Sequence, residues 1–118
     1  MKIIALTDIH GRTGIFRSLS GKIKQADLVI LSGDITHFGS QRDAAAVISE
    51  LSAVNPNIIA VTGNCDRPEC EQYLADKGLS AFGNIREFQG INFFGLSGSL
   101  PCPGRTPNEF SEEEYDAL

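Results

Sequence analysis

Apolar positions along this chain follow two rhythms. Three short runs, Ile3 to Thr7, Leu28 to Ser32 and Ile58 to Thr62, are nearly unbroken in Ile, Val, Leu and Ala. Such runs read as parallel strands covered on both faces, because a strand with one wet face would alternate. Between them the spacing lengthens to helical intervals. Ile15, Leu19 and Ile23 recur at every fourth position. Val47, Leu51 and Val54 share one face of a helix predicted over 41–54, with Ser40 as its N-cap and Pro56 as its stop. Strand, helix, strand, helix, strand predicts a parallel sheet with right-handed crossovers. A third short helix is predicted over 68–77, with Pro68 in its first turn and Gly78 just past its end.

The rhythm then changes. Ile85 to Phe88, Gln89-Gly90 and Ile91 to Leu96 read as a β-hairpin. A loop rich in proline and glycine follows, over 95–108. Ser111-Glu112-Glu113-Glu114 has the form of a capping box with acids in the first turn of a helix. The last residue, Leu118, falls about two turns into that helix, so the expectation is one domain over 1–118, truncated at its C-terminus.

Composition narrows the function classes. Fifteen acids against ten bases leave a net charge of -5, which argues against non-specific nucleic-acid or membrane-surface binding, since both need clustered Lys and Arg. No apolar run approaches the roughly 20 residues of a membrane helix. No basic leader followed by an apolar stretch opens the chain. Cys65, Cys70 and Cys102 are an odd set without a CxxC, which reads as reduced thiols in a cytoplasm.

The candidate chemistry lies just after each strand. The first strand is followed by Asp8-Ile9-His10-Gly11, the second by Gly33-Asp34 and the third by Gly63-Asn64-Cys65-Asp66. Ligands of an open α/β sheet bind beyond the carboxyl ends of its strands, so Asp8, His10, Asp34 and Asn64 are predicted to converge. The glycines permit the tight turns that aim those side chains. One Gly-Asp after a strand is a common turn; three polar endings in register point to a site. Two carboxylates, an imidazole and an amide oxygen form a mixed N/O donor set, suited to Mn²⁺, Fe or Zn²⁺ more than to Ca²⁺.

Asp-x-His, Gly-Asp and Gly-Asn-x-Asp on successive strand ends resemble the calcineurin-like metallophosphoesterase family. The tail from Gly95 to Glu114 is similar to a prokaryotic branch of predicted phosphohydrolases. The resemblance covers the whole chain and implies the first half of a four-layer αββα sandwich. It also implies two divalent metal ions and hydrolysis of a phosphate ester by a hydroxide bridging them. Carried over residue by residue, it gives Asp8 and His10 to one metal, Asp34 to both and Asn64 to the second. Asn64, Cys65 and Asp66 fall in the catalytic turn, with Asp66 in a supporting role. Cys65 stands where the family carries histidine, and a thiol with an unperturbed pKa of about 8.5 is a poor substitute. The family's later histidine ligands have no counterpart here, since His10 and His37 are the only histidines. The expectation is therefore weak metal binding unless another chain completes the site. Self-association through an apolar face around Phe93 and Phe94 is expected as well.

Plainer readings stand beside these. Asn64 tolerates left-handed backbone and serves turns. Arg12 and His37 are placed to meet a phosphate, yet both suit a solvated loop. Cys65 also reads as a small buried hydrophobe. The alternative function is a non-catalytic receiver-like or phosphate-binding module. A receiver would show an acidic pair after its first strand and a late lysine, whereas here Asp8 and His10 follow the strand and Lys77 is the last lysine. A nucleotide fold would need a glycine-rich first turn, which Gly11-Arg-Thr-Gly14 does not supply.

Overall fold

The computed structural model describes residues 1–118. The three apolar runs form β1 (Ile3–Leu6), β2 (Leu28–Ser32) and β3 (Ile58–Val61). They pair in parallel in the order β1-β2-β3, with Ile4 beside Val29 and Ile30 beside Ile59. Each crossover steps the same way along the sheet, and its helices pack on one face, as connections of one hand require. That helix layer holds α1 (Gly14–Ser18), α2 (Ser20–Gln25), α3 (Gln41–Val54) and α4 (Pro68–Asp76).

Register partners in a parallel pair share a face. Val29 and Ile58, then Leu31 and Ala60, point at the helices and join Ile23, Val47, Leu51 and Leu74 in the main core. Each fully buried Ile or Leu contributes about 2 kcal/mol of transfer free energy. The opposite face is covered by the antiparallel hairpin β4 (Ile85–Phe88) and β5 (Ile91–Phe94). There Leu28, Ile59 and Ala81 pack with Phe88 and Phe93. Gln89 and Gly90 both have positive φ, 50° and 81°, as a twisted two-residue hairpin turn demands. A last helix, α5 (Glu112–Asp116), starts with the predicted capping box: Glu114 N–H donates to Ser111 Oγ at 3.1 Å and Ser111 N–H to Glu114 Oε1 at 2.9 Å.

The architecture is thus α/β, a parallel sheet with flanking helices plus a hairpin, as the pattern predicted. Three details differ. β1 is not covered on both faces: Ile3 is 41% exposed, because β1 is an edge strand and the hairpin sits over β2 and β3. The helical pattern from Ile15 to Ile23 breaks at Leu19, whose backbone (φ -105°, ψ 13°) leaves the helix. Ser18 Oγ donates back to the Gly14 carbonyl at 3.3 Å, the local competition that weakens helices at serine. Phe93 packs inward while Phe94 is 55% exposed, so the two are not one exposed face.

Candidate metal centre

The loops after β1 and β2 continue the sheet's pairing. Asp8 N–H donates to Gly33 O at 3.1 Å, His10 N–H to Asp34 O at 2.9 Å and Gly11 N–H to Ile35 O at 2.9 Å. This zipping holds Asp8, His10 and Asp34 in left-handed backbone, at φ 57°, 49° and 50°. Each such residue costs roughly 1 kcal/mol, and strain of this kind gathers at functional sites.

The zipped loops bring three donors together. One ligand atom from each of Asp8, His10 and Asp34 lies within 4.8 Å of the others. His10 Nε2 is 3.5 Å from Asp8 Oδ1 and 3.8 Å from Asp34 Oδ2. Those separations are too long for good hydrogen bonds. They suit donors sharing one cation, since two ligands each about 2.1 Å from an ion stand roughly 3 to 4 Å apart. The two carboxylates differ in their surroundings. Burial pushes the Asp34 carboxyl up, the charges of Asp66 and Asp8 add to this, and the Cys65 N–H and His10 pull the other way. Asp8 is held below the usual range, chiefly by the Thr7 hydroxyl, which donates to its Oδ2 at 2.8 Å. A cation between them relieves the crowding. Arg12 and His37 line the same pocket, of about 280 Å³, with Asp8 and His10. The His37 ring sits edge-on to His10, with centroids 5.4 Å apart.

The β3 turn closes against this pair of loops. Cys65 N–H donates to Asp34 Oδ1 at 3.0 Å. Burial, then Asp34 and Asp66, push the Cys65 thiol up, so it stays neutral near pH 7. Asp66 is fully buried and is not among the residues that line the pocket. Its carboxylate accepts Ile35 N–H at 3.0 Å, Thr36 N–H at 2.8 Å, Thr36 Oγ1–H at 2.7 Å and Gly63 N–H at 2.8 Å. It ties the Asp34 loop to the Asn64 turn. Gly33 and Gly63 meet back to back: a Cβ on Gly33 would fall 2.9 Å from Gly63 Cα. Gly63 has no positive φ, so its role is close approach rather than turn geometry.

Sequence reasoning passed over the other side of this turn. Buried Asn108 donates through Nδ2 to Thr62 Oγ1 at 3.0 Å and Gly63 O at 3.2 Å, and its N–H to Asn64 O at 3.2 Å. Asn64 Nδ2 donates to Thr106 Oγ1 at 3.3 Å. Below, Glu71 accepts the hydroxyls of Ser80, Ser97 and Thr62. Composition marked 95–108 as a loop, and no local signal linked it to the strand ends.

Strand-end carboxylates and an imidazole beyond a parallel sheet define an α/β protein with a candidate metal site. The family model for calcineurin-like phosphoesterases matches residues 1–116, and the chain belongs to that family. It is also 36% identical over 123 residues to an uncharacterized protein of Methanocaldococcus jannaschii, a match covering 100% of this chain and 53% of that protein. The chain thus spans about half the length of this curated relative. No solved structure matches it.

Proposed function

We propose that this chain carries the metal-holding part of a phosphoesterase that hydrolyses phosphomonoesters or phosphodiesters with two divalent ions. The observation that carries the reading is the meeting of Asp8, His10 and Asp34 within 4.8 Å beyond the strand ends. Membership of the calcineurin-like family supports the reaction class.

In this reading Asp8 and His10 hold one ion, Asp34 is shared and Asn64 holds the second. The donor set favours Mn, Fe or Zn. Two such ions, when bound, supply an activated water and neutralise charge developing on the phosphate. Arg12 and His37 flank the phosphate from the same pocket. Arg12 suits that task because its planar fork matches two phosphate oxygens. Cys65 contributes at most a neutral S–H donor to the phosphate or leaving group. Asp66 acts by positioning, through its four hydrogen bonds to the two loops. His10 and His37 are the chain's histidines, so any further imidazole ligand comes from outside these 118 residues. A second copy docking through the exposed side chains Ile3, Ile85 and Phe94 is one source. No helix is long and apolar enough to cross a membrane. A cytoplasmic setting belongs to the same proposal: all three cysteines are free thiols, the form a reducing compartment maintains.

The test is calorimetric titration with manganese, alongside hydrolysis of an aryl phosphodiester, for the wild type and Asp34→Asn. Asn keeps an oxygen to accept the Cys65 N–H but removes the charge. Manganese affinity should fall about 10-fold or more in the variant, and any hydrolysis should vanish with it. Equal affinity in both proteins would sink the reading.

A further inference from the structure

We propose that Thr106 and Glu109 form a positioning relay that orients the Asn64 amide, turning its oxygen to a divalent cation. The proposal rests on Asn64 being a ligand of the second ion. Its grounds are one hydrogen bond between segments 42 residues apart, Asn64 to Thr106, and two local ones from Thr106 to Glu109.

An asparagine amide presents two ends of similar shape and opposite polarity. As a metal ligand it must offer Oδ1, and a flipped amide would offer an NH₂ group to a cation. Something has to choose. Asn64 Nδ2 faces Thr106 Oγ1 at 3.3 Å. That hydroxyl has one proton, and it is committed elsewhere: Thr106 Oγ1 donates to Glu109 Oε2 at 2.6 Å. The Thr106 N–H donates to the same oxygen, also at 2.6 Å. Glu109 therefore leaves Thr106 Oγ1 only lone pairs to show Asn64. A flipped amide would set two acceptors against each other. The relay thus works by polarity: carboxylate, hydroxyl, amide NH₂, then a free amide oxygen at the far end. Hydrogen bonds of this kind strengthen one another in series.

The relay is also anchored. Asn108 is 3% exposed, and its N–H and side chain hold Asn64 O, Gly63 O and Thr62 Oγ1. Gly98 N–H donates to Thr62 O at 2.9 Å, and Ser99 N–H to Asn108 O at 3.2 Å. The loop is thereby fastened to the β3 turn on both sides of Thr106. Hydrogen bonds from Thr106 hold the Glu109 carboxyl below the usual range, which keeps it an acceptor at neutral pH. Thr106 and Glu109 are positioning residues; neither is assigned contact with substrate.

The test uses the full chain and manganese alone as the probe. Thr106→Val, Thr106→Ser, Glu109→Gln and Asn64→Ala are titrated by calorimetry. Side-chain amide exchange of Asn64 is followed by NMR without metal. Thr106→Val and Glu109→Gln should weaken manganese binding about 10- to 100-fold, the usual effect of losing a group that orients a ligand. Thr106→Ser should restore it. Thr106→Val added to Asn64→Ala should cost nothing more. Wild-type Asn64 NH₂ protons should exchange slowly, and Thr106→Val should free them. The relay is overturned if Asn64→Ala weakens binding while Thr106→Val does not, or if the wild-type NH₂ exchanges freely. If Asn64→Ala binds manganese like the wild type, or the wild type binds none, the ligand reading of Asn64 fails and the relay with it.

Discussion

Gly63 shows how closely this site is built. A Cβ at that position would run into the Asp34 carboxylate and backbone. The adjacent strand-end loops can approach only because that atom is missing. Gly63→Ala is therefore expected to cost about 1–3 kcal/mol, the usual range for overpacking, and to displace the Asp34 carboxylate. Urea denaturation measures the first effect and manganese titration the second. A variant as stable as the wild type with unchanged affinity would show that the loops have slack. The candidate ligands Asp8, His10 and Asp34 were legible as polar residues just past apolar runs. Their left-handed backbone was not, because the pairing of one loop with another imposes it. Asp66 read as a supporting member of the catalytic turn; its carboxylate accepts backbone amides of that turn and of the neighbouring loop.

Between elements, the joint of α3 with α4 carries a pH dependence. Cys70, on α4, is fully buried, and its thiol lies 3.6 Å from Gly39 O and 3.5 Å from Ser40 O at the start of α3. Burial is the main cause that pushes it from 9.0 up to about 11. Between those values the native protein keeps a proton that the unfolded chain has released. Stability is then lost as pH rises through that window. Urea unfolding at pH 8 and pH 10.5 should show a steeper decline for the wild type than for Cys70→Ala. Parallel declines would mean that the joint does not hold the proton. Elements with local signals were the easiest to read: α3 behind Ser40, α4 behind Pro68, the Gln89-Gly90 turn and the α5 capping box. The break at Leu19 was hidden because the four-residue spacing continues across it.

At the scale of the whole molecule, the face opposite the helices leaves large apolar side chains exposed. Ile3 on β1, with Ile85 and Phe94 on the hairpin, exposes 41%, 64% and 55% of its surface. Isolated apolar residues on a surface are ordinary, but this many on one side of a small domain favour association. Sedimentation equilibrium should find self-association that rises with concentration. Phe94→Asp should weaken it without lowering stability, since that ring is not in either core cluster. A wild-type monomer throughout the concentration range would refute the association. The receiver-like alternative falls at this scale too, given the family match over residues 1–116.

By itself the sequence determined the strands, the capped helices, the hairpin turn and the polar residues at three strand ends. All of these depend on neighbours within a few positions, whose sterics and hydrogen bonds act in any context. Tertiary structure alone decided that α1 to α4 share one face, that β1 is an edge and that Phe93 turns inward. It also decided that Thr106 meets Asn64 across 42 residues of chain. Such contacts follow from sheet order and loop closure, and they leave no periodicity in the residues that make them.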